Sequence, residues 1–503
     1  MADLMKLPEP MLLFRHGQSM EDPRDGLTLF GPLDAGKPYG VRVGVIGTQS
    51  GIQLFKNWVE RIQHPVSITP PRIARPPFPG FEAVFRIPWN PQPAIEIQIP
   101  EQEIDSAIFL DDKYQRVYRA VDVYSSRIIK AIKQEDTTVD LWFVIIPDRI
   151  YKYCRPKSYV EYDLRVTAGS KLSARYAQKL ASQPSLFVED NVAAIPYQYE
   201  VNFHNQLKAR LLEYEIPTQI IKESTITPEE TTRAATRSER NASVLQSAIA
   251  WHISTAVFYK AGGRPWKIGG IRDGVCYIGL VFKQDEKRSD PRSACCAAQM
   301  FLDSGDGVVF KGDVGPWYTP ERGDFHLDRD AAMELVRIAV DSYKDKKGEP
   351  PKELFLHGKV RFNDDEWEGF QDAVDSSTSL VGVRIRPESD IKLFRKGEHP
   401  VLRGLAYLRD ARTAYLWTKG FTPRLQTYPG REVPNPLLID VCRGHVQIET
   451  VLNDIMALTK LNYNACVFAD GEPVTLKFAD AVGEILTAGP LDRVPPLPFK
   501  YYI

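Results

Sequence analysis

The sequence predicts an α/β protein, with a doubly wound unit in its first half and a mixed sheet flanked by helices in its second. Three observations predict this. Short runs such as LWFVIIP (141–147) are apolar on both faces, as strands buried inside parallel sheets are. Amphipathic stretches of helical period separate them. Across 503 residues, 43% apolar and 26% charged side chains suffice for real cores, and that length suggests two or three domains.

Taken in order, VRVGVIGT (41–48) reads as a β-branched strand and IQLFKNWVERI (52–62) as a helix. A proline-rich stretch from Pro65 to Pro93 encloses the strand-like FEAVFRI (81–87). From Tyr114 to Lys133, Val117, Val121, Tyr124, Ile128 and Ile132 mark one face of an amphipathic helix, and the buried strand 141–147 follows. A helix from about 203 to 214 leads into a strand at 216–221. Beyond the polar stretch 223–241, a boundary or merely a loop, a helix runs from about Ala242 to Lys260. Strands are expected at 275–282, 307–312, 353–358 and 379–385, and helices at 328–346, 363–376, 447–460 and 474–488. No internal repeat or low-complexity tract stands out.

Lys and Arg total 64 against 65 Asp and Glu, a formal net charge of −1, which excludes a diffuse polycation but not one concentrated basic groove. The cysteines Cys154, Cys276, Cys295, Cys296, Cys442 and Cys466 fit no zinc spacing, and so few in so long a chain suit a reducing compartment. With no signal-peptide core and no long apolar span, a soluble cytoplasmic protein is expected.

The most informative segment is VNFHNQLKARLLEYEIPTQIIKE (201–223). His204 and Lys208 stand four residues apart, on one helical face, ahead of an amide at a strand start, Gln219. Such a set near a helix N-terminus can hold a phosphate, though the spacing equally suits a solvated lysine and a packed histidine. In TAVFYKAGGRPWKIGG (255–270), Lys260 ends a helix just before a Gly-Gly turn, where it can reach an anion; this too is common as a plain helix cap.

These two segments, GLTLFGPLD (26–34), FYKAGGRPW (258–266) and IMALTKLNYNAC (455–466) occur in the order that resembles the short prokaryotic Argonautes, over nearly the whole chain. The resemblance implies a Rossmann-like MID domain within residues 1–240, then an RNase H-like PIWI domain over 241–503, with no PAZ or effector domain. It implies that His204, Lys208, Gln219 and Lys260 hold the 5′-phosphate of a guide. Ala256 departs from the pattern, since many Argonautes carry a further lysine there. Mg²⁺, held by the Ile503 terminal carboxylate, Gln219 and guide phosphates, is expected to compensate.

Slicing PIWI domains hold two metal ions with clustered carboxylates. Here Leu280 and Val281, His357, and Lys477 and Phe478 occupy the corresponding places, so the domain is expected to be catalytically inactive. Asp285, Asp290, Asp303, Asp306 and Asp313 fall on predicted turns or loops, where they cap or solvate. A Cys276–His357 nucleophile lacks an orienting group. Arg15-His16-Gly17 resembles a phosphohistidine motif without its context. Lys171, Arg175, Lys179, Arg210, Lys222, Arg264 and Lys267 are candidates for a basic groove, and the acidic face 364–375 could dock a partner.

The expected function is recognition of single-stranded target DNA by a guide RNA in prokaryotic defence. The resemblance implies a partner protein with an APAZ region, forming a heterodimer that oligomerises on activation. A TIR or Sir2 domain that depletes NAD⁺ is expected on that partner ahead of a nuclease. The alternatives are a guide-dependent nuclease with non-standard ligands and a stand-alone guide-binding module.

Overall fold

The computed structural model describes residues 3–68, 72–134, 137–169, 171–227, 239–284, 290, 292–302, 305, 307–490 and 495–503. An outlying strand, β1 (Asp3–Lys6), precedes the doubly wound unit. That unit runs β2 (Val43–Gly47), helix α1 (Gln49–Ile62), α2 (Phe81–Phe85), β3 (Ile95–Gln98), α3 (Glu101–Ile108), α4 (Lys113–Gln134), β4 (Leu141–Ile146), α5 (Asp148–Tyr153), α6 (Phe203–Leu212) and β5 (Thr218–Lys222). Its four strands are all parallel, in the order β3-β2-β4-β5. Every residue of β2 and β4 is buried, which their unbroken apolar runs require. Thr48 caps α1 by accepting from the Gly51 amide at 3.0 Å.

The strand-like reading of FEAVFRI is wrong. The segment is helix α2, because its buried residues Phe81, Val84 and Phe85 are spaced by three and four rather than two. Gly80 at φ 117° and Arg86 at φ 60° set its two ends.

The second half opens with α7 (Glu239–Lys260), which crosses the expected boundary at 240/241. Then come β6 (Val275–Gln284), β7 (Ala294–Leu302), β8 (Gly307–Gly315), α8 (Arg329–Lys347), β9 (Glu353–Gly358), α9 (Asp364–Asp372), β10 (Ser379–Pro387), β11 (Leu405–Leu408), β12 (Thr413–Trp417), β13 (Leu437–Arg443), α10 (Ile448–Leu458), α11 (Val474–Lys477), α12 (Ala479–Leu486) and β14 (Leu497–Pro498). Among the described residues ten strands form one mixed sheet, ordered β1-β11-β12-β13-β10-β9-β6-β7-β8-β14. Strand β9 runs parallel to both its neighbours and all other pairings are antiparallel.

One apolar core contains residues of both halves, among them Phe55, Phe143, Phe258, Tyr277, Phe355 and Ile455. The helix expected at 474–488 is two helices, broken at Phe478. The phrases FYKAGGRPW and IMALTKLNYNAC meet in space: the Trp266 indole donates to the Lys460 carbonyl at 3.1 Å, and the Tyr463 hydroxyl to the Trp266 carbonyl at 2.6 Å. The junction of the two halves is packed by this shared core and bridged by hydrogen bonds such as that from the Ser247 hydroxyl to the Pro76 carbonyl at 2.8 Å.

Candidate functional site

Helix α6, the start of β5, the end of α7 and the residues around Ile503 converge at this junction. Asn202 caps α6, its side chain accepting from the His204 and Asn205 amides at 3.1 and 3.4 Å. The Phe203 amide bonds to the Cys154 carbonyl and the Gln206 amide to the Asn202 carbonyl. All four first-turn amides are thus spent on protein acceptors. An anion near this helix end is therefore left to side chains.

The five side chains and groups singled out by sequence come together. Lys208 is 3% exposed and donates to the Ile503 main-chain oxygen at 2.7 Å. Lys260, 1% exposed, donates to the Thr218 carbonyl at 3.0 Å and to Gln219 Oε1 at 2.7 Å. Among the described residues neither lysine pairs with a side-chain carboxylate. Burial consequently pushes Lys208 down to about 7, and burial together with Lys208 holds Lys260 well below the ordinary lysine range. His204 lines the neighbouring cavity. The residue keeps part of its surface exposed to solvent, yet the protein crowded around its ring and then the Lys208 charge hold its pKa below the usual imidazole value.

Sequence reasoning missed two members of the cluster. Lys500 donates to the Lys260 main-chain carbonyl at 3.3 Å and so braces the end of α7, while the charges that act on it are Lys37 and Asp140. Asn205 sits against His204, its Oδ1 3.1 Å from His204 Nδ1. A lysine in the C-terminal PPLPFKYYI was the available signal for the first; nothing in the pattern marks the second.

Beside this cluster lies a largely apolar cavity of about 380 Å³, walled by Ile146, Tyr151, Phe203, His204, Gln219 and Ile253. The Tyr151 ring has the Arg155 guanidinium 4.4 Å and the Lys222 ammonium 4.5 Å from its centre. Of the cluster, His204 and Gln219 face this slot, whose aromatic wall suits a flat ring, and Gln219 links it to the buried Lys260.

Four of the seven candidate basic-groove residues have acidic partners. Lys171 pairs with Asp111, Arg210 with Asp122, Lys222 with Asp148 and Arg264 with Asp34. Arg175 and Lys179 are exposed, and Lys267 is half-buried. The acidic face 364–375 is likewise engaged: Asp364 pairs with Arg443, Glu368 and Asp372 with Arg329, and Asp375 with Lys344.

In the large sheet, Val281 is buried, and Phe478 joins the same core. His357 is buried at the end of β9, with Nδ1 2.9 Å from the Thr475 hydroxyl, and burial pushes it down to about 3, so its ring is neutral. A Cβ on Gly279 would come within 1.9 Å of the Thr475 carbonyl oxygen, so α11 presses directly on β6. Cys276 packs on the other face of the sheet from His357, which lies beside Tyr277, so no Cys–His pair exists. His16 is exposed on a short turn. Asp290 pairs with Arg292, while Asp285, Asp303 and Asp306 lie outside the described residues. Among the described residues no three His, Cys, Asp or Glu side chains are grouped to hold a metal, and no helix is long and apolar enough to cross a membrane.

No known family model and no curated protein matches the chain. Solved structures do. Clostridium butyricum Argonaute bound to a guide DNA and a 19-mer target DNA superposes with a TM-score of 0.62 at 16% identity, over 97% of this chain and 54% of that one. Aquifex aeolicus Argonaute superposes with a TM-score of 0.54 at 15% identity, over 98% of this chain and 54% of that one. This chain therefore spans about half the length of those proteins, and its fold is the MID–PIWI fold of Argonautes.

Proposed function

We propose that the protein holds the 5′-phosphate of a guide strand between His204, Lys208, Gln219 and Lys260 and uses that guide to recognise single-stranded DNA. One observation carries the reading. Two wholly buried lysines, with no carboxylate side chain to balance them and only the Ile503 terminal group as an anion, lie next to a cavity with an aromatic wall. Buried charges are normally paired, and a phosphate supplies the counter-ion that lets both lysines carry their protons. On its arrival Lys208 and Lys260 turn from the Ile503 terminal oxygen and the Thr218 carbonyl to phosphate oxygens. Gln219, whose Oε1 faces Lys260, keeps its amide hydrogens for the ligand. The first base enters the slot beside Tyr151.

The oxygens expected to hold Mg²⁺, Ile503 and Gln219 Oε1, each accept from an ammonium group in the free protein. They suit a divalent cation only once a phosphate has drawn the lysines away, and bound there it would neutralise guide phosphates.

Non-cleavage is part of the same reading, supported by Val281, neutral His357 and Phe478 at the places where slicing enzymes carry ligands. The resemblance supports an RNA guide, a role in prokaryotic defence, and an APAZ-bearing partner with a TIR or Sir2 domain, ahead of a nuclease, that the guide–target duplex switches on.

Binding of 5′-phosphorylated and 5′-hydroxyl oligonucleotides tests the pocket. Wild type is expected to prefer the phosphate, and Lys208→Ala with Lys260→Ala to bind both alike; an unchanged preference refutes the assignment. Incubation with guide, complementary target and Mg²⁺ or Mn²⁺ tests the rest, since scission at one fixed phosphate would establish a nuclease. Copurification with the product of the neighbouring reading frame tests the partner.

A further inference from the structure

Resting on the reading above, we infer that Asn205 is a positioning residue that fixes the proton of His204 on Nδ1, so that His204 grips the guide phosphate only as an imidazolium. The side chain of Asn205 is 5% exposed and both its ends are engaged. Its Nδ2 lies 3.4 and 3.2 Å from the two carboxylate oxygens of Glu200, and 3.3 Å from Glu484 Oε2 on α12. Its Oδ1 lies 3.1 Å from His204 Nδ1.

The orientation of an amide is settled by its partners. Reversing Asn205 would set its carbonyl oxygen against two carboxylates and its NH₂ against the ring. Two acceptors on one side therefore force Oδ1 toward His204, and an acceptor facing Nδ1 keeps a hydrogen there. In the neutral ring Nε2 is then a bare acceptor, which repels a phosphate oxygen. Only a second proton turns Nε2 into a donor.

The anchor reaches across the junction. Glu484 also meets Lys283 of β6 at 3.5 Å, so the tautomer of a histidine in the small sheet's domain is set from a helix packed on the large sheet. The charges facing His204 are Lys208 on its own helix, Lys260 at the end of α7, and Arg155 and Lys222 across the cavity. Glu200 and Glu484 act through Asn205. Free His204 titrates below the ordinary range and a phosphate raises it, so binding takes up one proton there.

The test is fluorescence anisotropy of the full chain with 5′-phosphorylated and 5′-hydroxyl RNA, from pH 5.5 to 7. In His204→Ala the phosphate preference keeps a pH dependence set by Lys208, Lys260 and the second ionisation of the phosphate itself. In wild type it weakens with rising pH by about a further tenfold per unit, as uptake of one more proton at His204 demands. Asn205→Leu frees the neutral ring to carry its hydrogen on Nε2, and that extra slope falls below about twofold. In a His204→Ala background, Asn205→Leu changes nothing. Nitrogen spectra of ¹⁵N-histidine protein show the His204 hydrogen on Nδ1 in wild type and on Nε2 in N205L.

An extra slope left unchanged in N205L, or a neutral wild-type ring with its hydrogen on Nε2, overturns the inference. Should N205L fail to fold, the wild-type nitrogen spectrum still decides. Phosphate preference surviving the double lysine substitution is a different failure, and sinks the pocket instead.

Discussion

Replacing Lys208 by methionine should leave the free protein about as stable at pH 7 while removing its preference for a 5′-phosphate. Lys208 is 3% exposed and titrates at about 7, against about 10.4 for an unfolded lysine. The folded pKa is depressed, so the unfolded chain binds the extra proton and folding works against it. At pH 7 the deficit is about 4 kcal/mol; it persists at lower pH and shrinks to about 2 kcal/mol by pH 9. Methionine, of similar length, removes this deficit but leaves the buried Ile503 terminal carboxylate without its cation, which costs about 3–5 kcal/mol. The net expectation is a change within about 1 kcal/mol at pH 7 that becomes a loss of about 1–3 kcal/mol by pH 9. Urea denaturation at both pH values reads the change, and stabilisation by 5′-phosphorylated against 5′-hydroxyl RNA reads the function. A K208M protein no less stable relative to wild type at pH 9 than at pH 7, or one that keeps its phosphate preference, would refute the reasoning.

The remaining expectations concern other parts of the molecule. Mg²⁺ alone should leave the melting temperature of the free protein unchanged, because the oxygens that would bind it are held by ammonium groups, yet should tighten 5′-phosphorylated guides. Either result reversed, by calorimetry with and without guide, contradicts the shared-site picture. Gly279→Ala should destabilise by about 2 kcal/mol or more, since its Cβ would collide with the Thr475 carbonyl; wild-type urea unfolding would mean α11 yields freely. His326 donates to Glu366 and lies near Asp324, which together raise its pKa. Its stabilisation is therefore full below about pH 6.5 and lost as pH rises through the higher folded value. His326→Gln should cost about 1 kcal/mol at pH 5.5 and almost nothing at pH 9, measured by denaturation; an equal loss at both would show that the charge is irrelevant.

Much of the fold was legible because the governing signal was local. Strands β2 and β4 and helices α1, α4 and α8 announce themselves through unbroken apolar runs or a clear 3.6-residue period. Strand β7 did not, because ACCAAQMFL is made of small residues with little β preference and is held in place by β6 and β8 on either side. Strands β11 and β12 are four and five residues long, too short for a period to show. The pocket was found through the order of family-like phrases, since the His204–Lys208 spacing alone fits a bland helix. Asn205 was invisible because its role depends on Glu484, 279 positions away in sequence. The pairs made by Lys171, Arg210, Lys222 and Arg264 were hidden for a related reason: a basic residue in a sequence does not reveal the aspartate the fold will bring to it.

The large sheet also sets a timetable for synthesis. Its edge strand β1 leaves the ribosome first, yet pairs Asp3 with Leu408. At about 5–20 residues per second its partner strand emerges only after roughly 20–80 s, and the opposite edge, β14, comes later still. For that interval a short apolar-and-charged ribbon must stay unpaired and soluble. The sequence Asp3-Leu4-Met5-Lys6, charged at both ends and exposed on most of its length, fits a segment that can wait in water as well as pair at a sheet edge.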